Sequence, residues 1–177
     1  SYGMGLFYVT NTSSIRDVEI RGGDGGLLLT KEFYGFFENI KIKDCAKIGV
    51  HLLAGGTSDT GVNANVYQGL WITGCENNLV FDDVAGSFSN VVVFKDCTFE
   101  NSRKTSIILN GVRPVKFIGT YHESNFTEGA AAGEVVEVFG FDTEVTFDSC
   151  FINVNKVHDP DAFAVKCETS RVTDTAT

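Results

Sequence analysis

The chain has no long apolar run, no excess of positive charge and only two prolines among its 177 residues. A helix that spans a bilayer needs about 20 consecutive apolar residues, and residues 1–10 lack the charged start and apolar run of a signal peptide. The formal net charge of -9 excludes the dominant basic surface that binds phosphate backbones. We therefore expect neither membrane insertion nor nucleic acid as the main partner.

Metal-ligand spacing is also missing. The five cysteines form an odd set without a CxxC pair or a Cys/His cluster, which argues against zinc and against a secreted disulfide framework. We expect free thiols that pack as small apolar side chains, with no metal and no cofactor. The cysteines are Cys45, Cys75, Cys97, Cys150 and Cys167.

The chain is rich in Phe, with 15 residues, and in Gly, with 19. Its composition is 43% hydrophobic and 21% charged. This balance favours one core, and so a single domain over residues 1–177, built from many short strands joined by tight turns. The chain opens at Ser1 in a strand-like pattern, so we expect it to be a piece of a longer protein.

One short segment recurs six times. Its copies are Val18 to Gly23, Ile40 to Cys45, Leu70 to Cys75, Val92 to Cys97, Val115 to Thr120 and Val145 to Cys150. The last positions are separated by 22, 30, 22, 23 and 30 residues, so the longer periods predict two inserted loops, at 55–61 and 124–133. Within each copy, apolar and polar residues alternate and a turn-forming residue follows, which indicates a strand with one buried face.

A second apolar strand follows each copy, for example at Leu27 to Leu29 and at Leu79 to Phe81. A period near 22 residues is too short for a propeller blade, and it favours an all-β coil that returns onto itself. Stacked coils align equivalent residues in columns. The predicted buried columns contain Val18, Ile40, Leu70, Val92, Val115 and Val145; Ile20, Ile42, Ile72, Phe94, Phe117 and Phe147; and Cys45, Cys75, Cys97 and Cys150.

In coil length, turn residues and ladders, residues from Ile15 to Phe151 resemble the right-handed parallel β-helix superfamily. This superfamily includes pectate-lyase-like and polygalacturonase-like enzymes and the β-helix domains of bacteriophage tailspikes. The resemblance implies a single-stranded parallel β-helix of about six coils, and right-handed crossovers are the general preference of parallel sheets. No motif of a particular enzyme family is present.

The outward positions of the repeated strand suggest a binding face. They carry the only Trp and several lysines, and an aromatic ring with ammonium groups suits an acidic glycan. An ordinary solvated surface or a subunit contact is the alternative. The predicted ligand-binding residues are Trp71, Lys41, Lys43, Lys95 and Lys116.

Carboxylates suggest a catalytic alternative. Glu100 and Glu123 follow equivalent strands and should lie on adjacent coils with His122 beside them, at a separation that suits a retaining glycosidase. Asp82 or Asp83 is a second candidate, of which only one should face a given groove. A pair of like charges on solvated loops is the alternative interpretation.

Three functions are compatible with these features. The favoured one is recognition of cell-surface polysaccharide by a domain of a phage tailspike-like or tail-fibre-like protein, located in the virion or outside the cell. The resemblance implies a homotrimer. The alternatives are a glycoside hydrolase or polysaccharide lyase that uses these carboxylates, and a structural shaft without a ligand.

Overall fold

The chain folds as a parallel β-helix. The computed structural model describes residues 2–7, 14–30, 32–54, 61–83, 89–123, 125, 134–140, 143–153, 163–167 and 171–174. Within these ranges all the regular elements are short strands, and no helix that could span a membrane occurs among them. The described strands lie in three parallel sheets in turn and complete this circuit six times, which confirms the predicted fold class.

The strands of the described residues fall into three main sheets. Sheet 1 contains Tyr2–Phe7, Gly25–Thr30, Ile48–Ala54, Asn77–Asp83, Ile107–Asn110, Glu134–Phe139 and Phe163–Cys167. Sheet 2 contains Ser14–Arg16, Phe36–Glu38, Val66–Gln68, Val92–Lys95, Val115–Ile118, Glu144–Asp148 and Arg171–Asp174. Sheet 3 contains Glu19–Arg21, Lys41–Lys43, Trp71–Thr73, Thr98–Glu100, Tyr121–Glu123 and Phe151–Ile152. A small pair, Glu32–Phe33 and Val62–Asn63, lies beside them.

Sheet 1 holds the second strands that the sequence predicts, and its inner face packs closely against sheet 3. A Cβ atom at Gly49 would lie 2.5 Å from the Cγ2 atom of Ile72. Gly26 stands in the same relation to Ile42 one coil earlier. Glycine at these positions lets the two sheets approach each other without a collision.

In each coil a strand of sheet 2 is followed directly by a strand of sheet 3, and the two strands together are here called a corner. In each coil a short strand of sheet 2 leads to a residue with positive φ, and a short strand of sheet 3 follows. A second positive-φ residue ends the sheet 3 strand in four coils, five residues further on. The first set is Asp17, Asn39, Gly69, Asp96, Gly119 and Ser149, and the second is Gly22, Asp44, Gly74 and Asn101. Asn, Asp and Gly tolerate this left-handed backbone best.

This similarity overturns the predicted register between the third and fourth coils. The first three predicted copies contain strands of sheet 3, whereas the last three contain strands of sheet 2. Ile72 pairs with Phe99 and Trp71 with Thr98, so these coils are offset by 27 residues and not by 22. Both strands of a corner have an apolar centre and then a turn residue, followed by an apolar or small residue, so a shift of five residues preserves the pattern.

The predicted ladders are therefore correct from Ile20 to Ile72 and from Phe94 to Phe147, and wrong only where the third copy was joined to the fourth. Nearly all of their members are buried as expected. Sheet 2 builds a continuous inner aromatic ladder of Phe37, Tyr67, Phe94, Phe117 and Phe147, with ring centroids 4.7 to 5.2 Å apart. The inner column of sheet 3 is mixed. It contains Ile20, Ile42, Ile72, Phe99, His122 and Ile152.

The cysteines also divide between the two corners. Cys45 and Cys75 follow strands of sheet 3, whereas Cys97 and Cys150 follow strands of sheet 2, so the single predicted column is wrong. All four are free thiols, as predicted. Burial raises the pKa of Cys97 to about 12, which suits a packing role. The side chain of Cys167 lies outside the described part of the structure.

Candidate functional site

The outer surface of sheet 3 carries residues from both candidate sites of the sequence analysis, the Trp and Lys residues and the glutamates. In each three-residue strand the central side chain points into the core and the two flanking side chains point out. The strand register aligns the flanking positions in two outward columns, here called the sheet 3 face. The first column is Glu19, Lys41, Trp71, Thr98, Tyr121 and Phe151, and the second is Arg21, Lys43, Thr73, Glu100 and Glu123.

Aromatic side chains make up half of the first column. Phe151 is 51% exposed and Tyr121 37% exposed, and Trp71 is partly exposed. The rings of Tyr121 and Phe151 stack with centroids 5.0 Å apart and an interplanar angle of 12°. Their planes therefore lie across the helix axis, with one ring above the other. Three aromatic side chains aligned on one solvent-facing column form a surface suited to a ligand.

Trp71 connects the basic and acidic parts of this face. Its Nε1–H donates a 2.7 Å hydrogen bond to Oε1 of Glu100 on the next coil. On the preceding coil the ammonium of Lys43 lies 4.2 Å from the Trp71 ring centroid, and that of Lys41 lies 5.7 Å away. Two lysines thus lie on one side of the indole and a carboxylate on the other.

The carboxylates of Glu100 and Glu123 occupy in-register positions on neighbouring strands, as the sequence predicted. Adjacent strands are about 4.8 Å apart, which is close to the roughly 5 Å between the carboxyl groups of retaining glycosidases. The phenol of Tyr121 donates a 2.6 Å hydrogen bond to Oε2 of Glu123. This bond to the carboxylate raises the pKa of Tyr121. Each carboxylate is thus held by an aromatic side chain.

His122 is next to Glu123 in sequence but lies on the opposite side of the sheet. It is fully buried, stacks on Phe99 with centroids 5.2 Å apart, and shares a 2.9 Å hydrogen bond between its Nε2 atom and Oγ1 of Thr120. Burial lowers its pKa to about 3. Nδ1 has no hydrogen-bond partner among the described residues. The imidazole therefore cannot assist the glutamates of the sheet 3 face.

Asp82 lies on sheet 1 and not on sheet 3. Its Oδ2 atom is 3.2 Å from Nε2 of His51, and its Oδ1 atom accepts a hydrogen bond from Asn110. The bond to His51 is the main reason that the pKa of Asp82 is lowered. Asp83 points inward and accepts hydrogen bonds from the backbone N–H and the hydroxyl of Ser89. As predicted, only one of the two acids faces outward, and its lowered pKa does not suit a general acid.

Lys95 and Lys116 do not share a face with Trp71. Both are exposed on sheet 2, where Lys95 pairs with Gln68 and Lys116 pairs with Val93. The predicted single surface of four lysines and Trp71 is therefore wrong as a geometric unit, and only Lys41 and Lys43 adjoin the indole. The five-residue shift of register explains the error, because it placed strands of two sheets in one column.

Sequence reasoning missed Tyr121 and Phe151. Each occupies the same place in its strand as Trp71, two residues after the positive-φ residue of the first turn. Aligning the second strand of every corner would have revealed an aromatic column. The signal was present in the sequence, but the neighbouring strand of each corner obscured it.

A shallow depression of about 470 Å³ lies beside the Lys41 end of the sheet 3 face, where sheets 2 and 3 meet. Asp17, Val18, Glu19, Asn39, Lys41 and Gly69 line it. Within the described residues no group of three or more His, Cys, Asp or Glu side chains is placed to hold a metal ion.

The chain matches no protein-family model, no curated protein and no solved structure. Its class is accordingly defined by its architecture alone: an all-β parallel β-helix of several coils, with one exposed face of aromatic and charged residues.

Proposed function

We propose that the sheet 3 face binds polysaccharide. The observation that carries the proposal is the outward aromatic column of Trp71, Tyr121 and Phe151 beside a column of charged residues. Aromatic faces pack against the C–H faces of sugar rings, while carboxylates and ammonium groups bond to hydroxyls and to charged substituents. The strands of a stacked β-helix hold these groups at fixed spacing, so little ordering is needed on binding.

The resemblance to tailspikes supplies the biological setting of the proposal. In a tailspike-like or tail-fibre-like protein the face would meet polysaccharide at a cell surface, and the domain would act as part of a homotrimer in the virion. If the chain instead belongs to an extracellular protein of another type, the sheet 3 face would bind polysaccharide in the same way.

Binding to a panel of capsular and pectic polysaccharides, measured by calorimetry, tests the proposal. Trp71→Ala should weaken binding by about tenfold or more, since it removes one of the three rings and releases Glu100. Lys116→Ala on sheet 2 is the matched control and should leave the affinity within about twofold. Equal affinities for the wild type and Trp71→Ala would contradict the proposal.

The in-register pair of Glu100 and Glu123 supports a second candidate, cleavage of the bound polysaccharide. In a retaining hydrolase one carboxyl group protonates the leaving oxygen while the other attacks the anomeric carbon. Release of reducing ends identifies cleavage, and ultraviolet absorbance of an unsaturated product separates a lyase from a hydrolase. Glu100→Gln and Glu123→Gln should each abolish turnover while binding persists; turnover that survives both changes contradicts this candidate.

A further inference from the structure

The aromatic column of the sheet 3 face is interrupted at one position. Trp71, Thr98, Tyr121 and Phe151 are successive members of the column, and Thr98 is the only one of these four that is not aromatic. Where two aromatic side chains are adjacent, at Tyr121 and Phe151, their rings stack at 5.0 Å. At Thr98 a small side chain takes the place of a ring.

The gap has the dimensions of one inserted ring. Two coil spacings separate Trp71 from Tyr121, which is about 10 Å. A ring in van der Waals contact with both neighbours needs about 7 to 8 Å, at 3.5 to 4.0 Å for each contact. The remaining space suits a puckered sugar ring, which is thicker than a flat aromatic ring. Because one face of the Tyr121 ring is covered by Phe151, its other face is turned toward this gap.

The edge of the gap is acidic. Glu100 belongs to the same strand as Thr98, and Glu123 belongs to the same strand as Tyr121. Each glutamate uses one oxygen to accept a bond from a wall residue, Trp71 or Tyr121. The second oxygen of each has no hydrogen-bond partner among the described residues. Lys41 and Lys43 lie on the preceding coil, on the other side of Trp71.

From this arrangement we infer that the gap over Thr98 is a subsite for one amino sugar, within the polysaccharide site proposed above and resting on that proposal. The rings of Trp71 and Tyr121 form its walls and Thr98 forms its floor. Two carboxylates favour a protonated amine on the ring, and aromatic faces also attract cations. The same carboxylates disfavour a uronic acid at this position.

Filling the gap tests the inference without removing a packing contact. Thr98→Phe completes the aromatic column and should fold normally, while its ring occupies the subsite. Thr98→Ser is the control that keeps the gap open. The probes are a glucosamine tetrasaccharide, a neutral glucose tetrasaccharide and a galacturonate tetrasaccharide, titrated at neutral pH by calorimetry.

The wild type and Thr98→Ser should bind the glucosamine probe at least about tenfold more tightly than the neutral probe, with the galacturonate probe weakest. Thr98→Phe should lose this binding by about tenfold or more. The preference for the amine should shrink at high salt and disappear in the Glu100→Gln, Glu123→Gln double variant.

Three results would overturn the inference. If Thr98→Phe binds the probes as tightly as the wild type, the subsite is wrong while polysaccharide binding elsewhere on the face stands. If the wild type prefers the neutral or acidic probe, the chemical class is wrong. If no glycan binds the wild type, the proposed function fails and the subsite fails with it.

Discussion

Sheets 2 and 3 are built from strands of nearly the same pattern, yet they place their aromatic ladders on opposite sides. In sheet 2 the ladder faces the core, and all of its rings, from Phe37 to Phe147, are at most 4% exposed. In sheet 3 the aromatic column of Trp71, Tyr121 and Phe151 faces solvent. The inner ladder is continuous, whereas the outer one is interrupted at Thr98. The comparison separates aromatic residues that stabilise the fold from those available to a ligand.

The largest effect should come from breaking the inner ladder. Phe94→Ala removes a fully buried ring that stacks on Tyr67 and Phe117, and should lower the free energy of unfolding by about 3 to 5 kcal/mol. Phe151→Ala, the matched change on the outer column, should cost less than about 1 kcal/mol. Denaturant unfolding measures both, and equal losses would contradict the distinction between the sheets.

A pH effect should distinguish the inner column of sheet 3 from that of sheet 2. The pKa of His122 is about 3 in the folded chain, compared with 6.5 for an unperturbed histidine such as that of the unfolded chain. Between these pH values the unfolded chain binds a proton that the folded chain does not. Stability should therefore fall as the pH falls, by up to about 1.4 kcal/mol for each pH unit. Above pH 6.5 this contribution is fully retained.

His122→Phe should remove this part of the pH dependence, because an aromatic ring without a titratable group then stacks on Phe99. Unfolding free energies at pH 6.5 and 4.5 give the slope for each chain. The carboxylates take up protons mainly at lower pH, so they affect this window less. A slope that is unchanged in His122→Phe would mean that the buried imidazole does not control the acid response.

The smallest expected effect concerns the gap itself. Thr98→Phe makes the outer column resemble the inner ladder, and aromatic pairs contribute about 0.5 to 1.5 kcal/mol beyond their burial. We expect a rise of about 1 kcal/mol in the free energy of unfolding, measured by denaturant titration beside Thr98→Ser. A marked loss of stability in Thr98→Phe would show that the gap cannot accommodate a ring.

The fold was predictable because its signals are local and repeated. Alternating apolar residues, turn residues with positive φ and the strands of sheet 1 are all visible in the sequence. The adjacency of Glu100 and Glu123 was also predictable, since the fourth and fifth predicted copies lie in the same sheet. The register between these two copies was predicted correctly, and this was sufficient to place the two glutamates side by side.

The register across the third and fourth coils was not predictable from the same signals. Residues 72–75 and 94–97 both contain an apolar residue, a turn residue and a cysteine, whereas the true partner of 72–75 is 99–102. The two strands of a corner have nearly the same sequence pattern. They are distinguished by their contacts across the core, which the local pattern does not reveal. The Tyr121 and Phe151 positions were missed for this reason.

Trp71 is the only tryptophan in the chain, so its fluorescence directly reports the sheet 3 face. Titration of the wild type with the glucosamine tetrasaccharide should change the emission in a saturable way, with the same midpoint as in calorimetry, and Thr98→Phe should abolish the change. Binding by calorimetry that leaves Trp71 emission unchanged would place the ligand elsewhere and contradict the central claim that the interrupted outer column is the binding site.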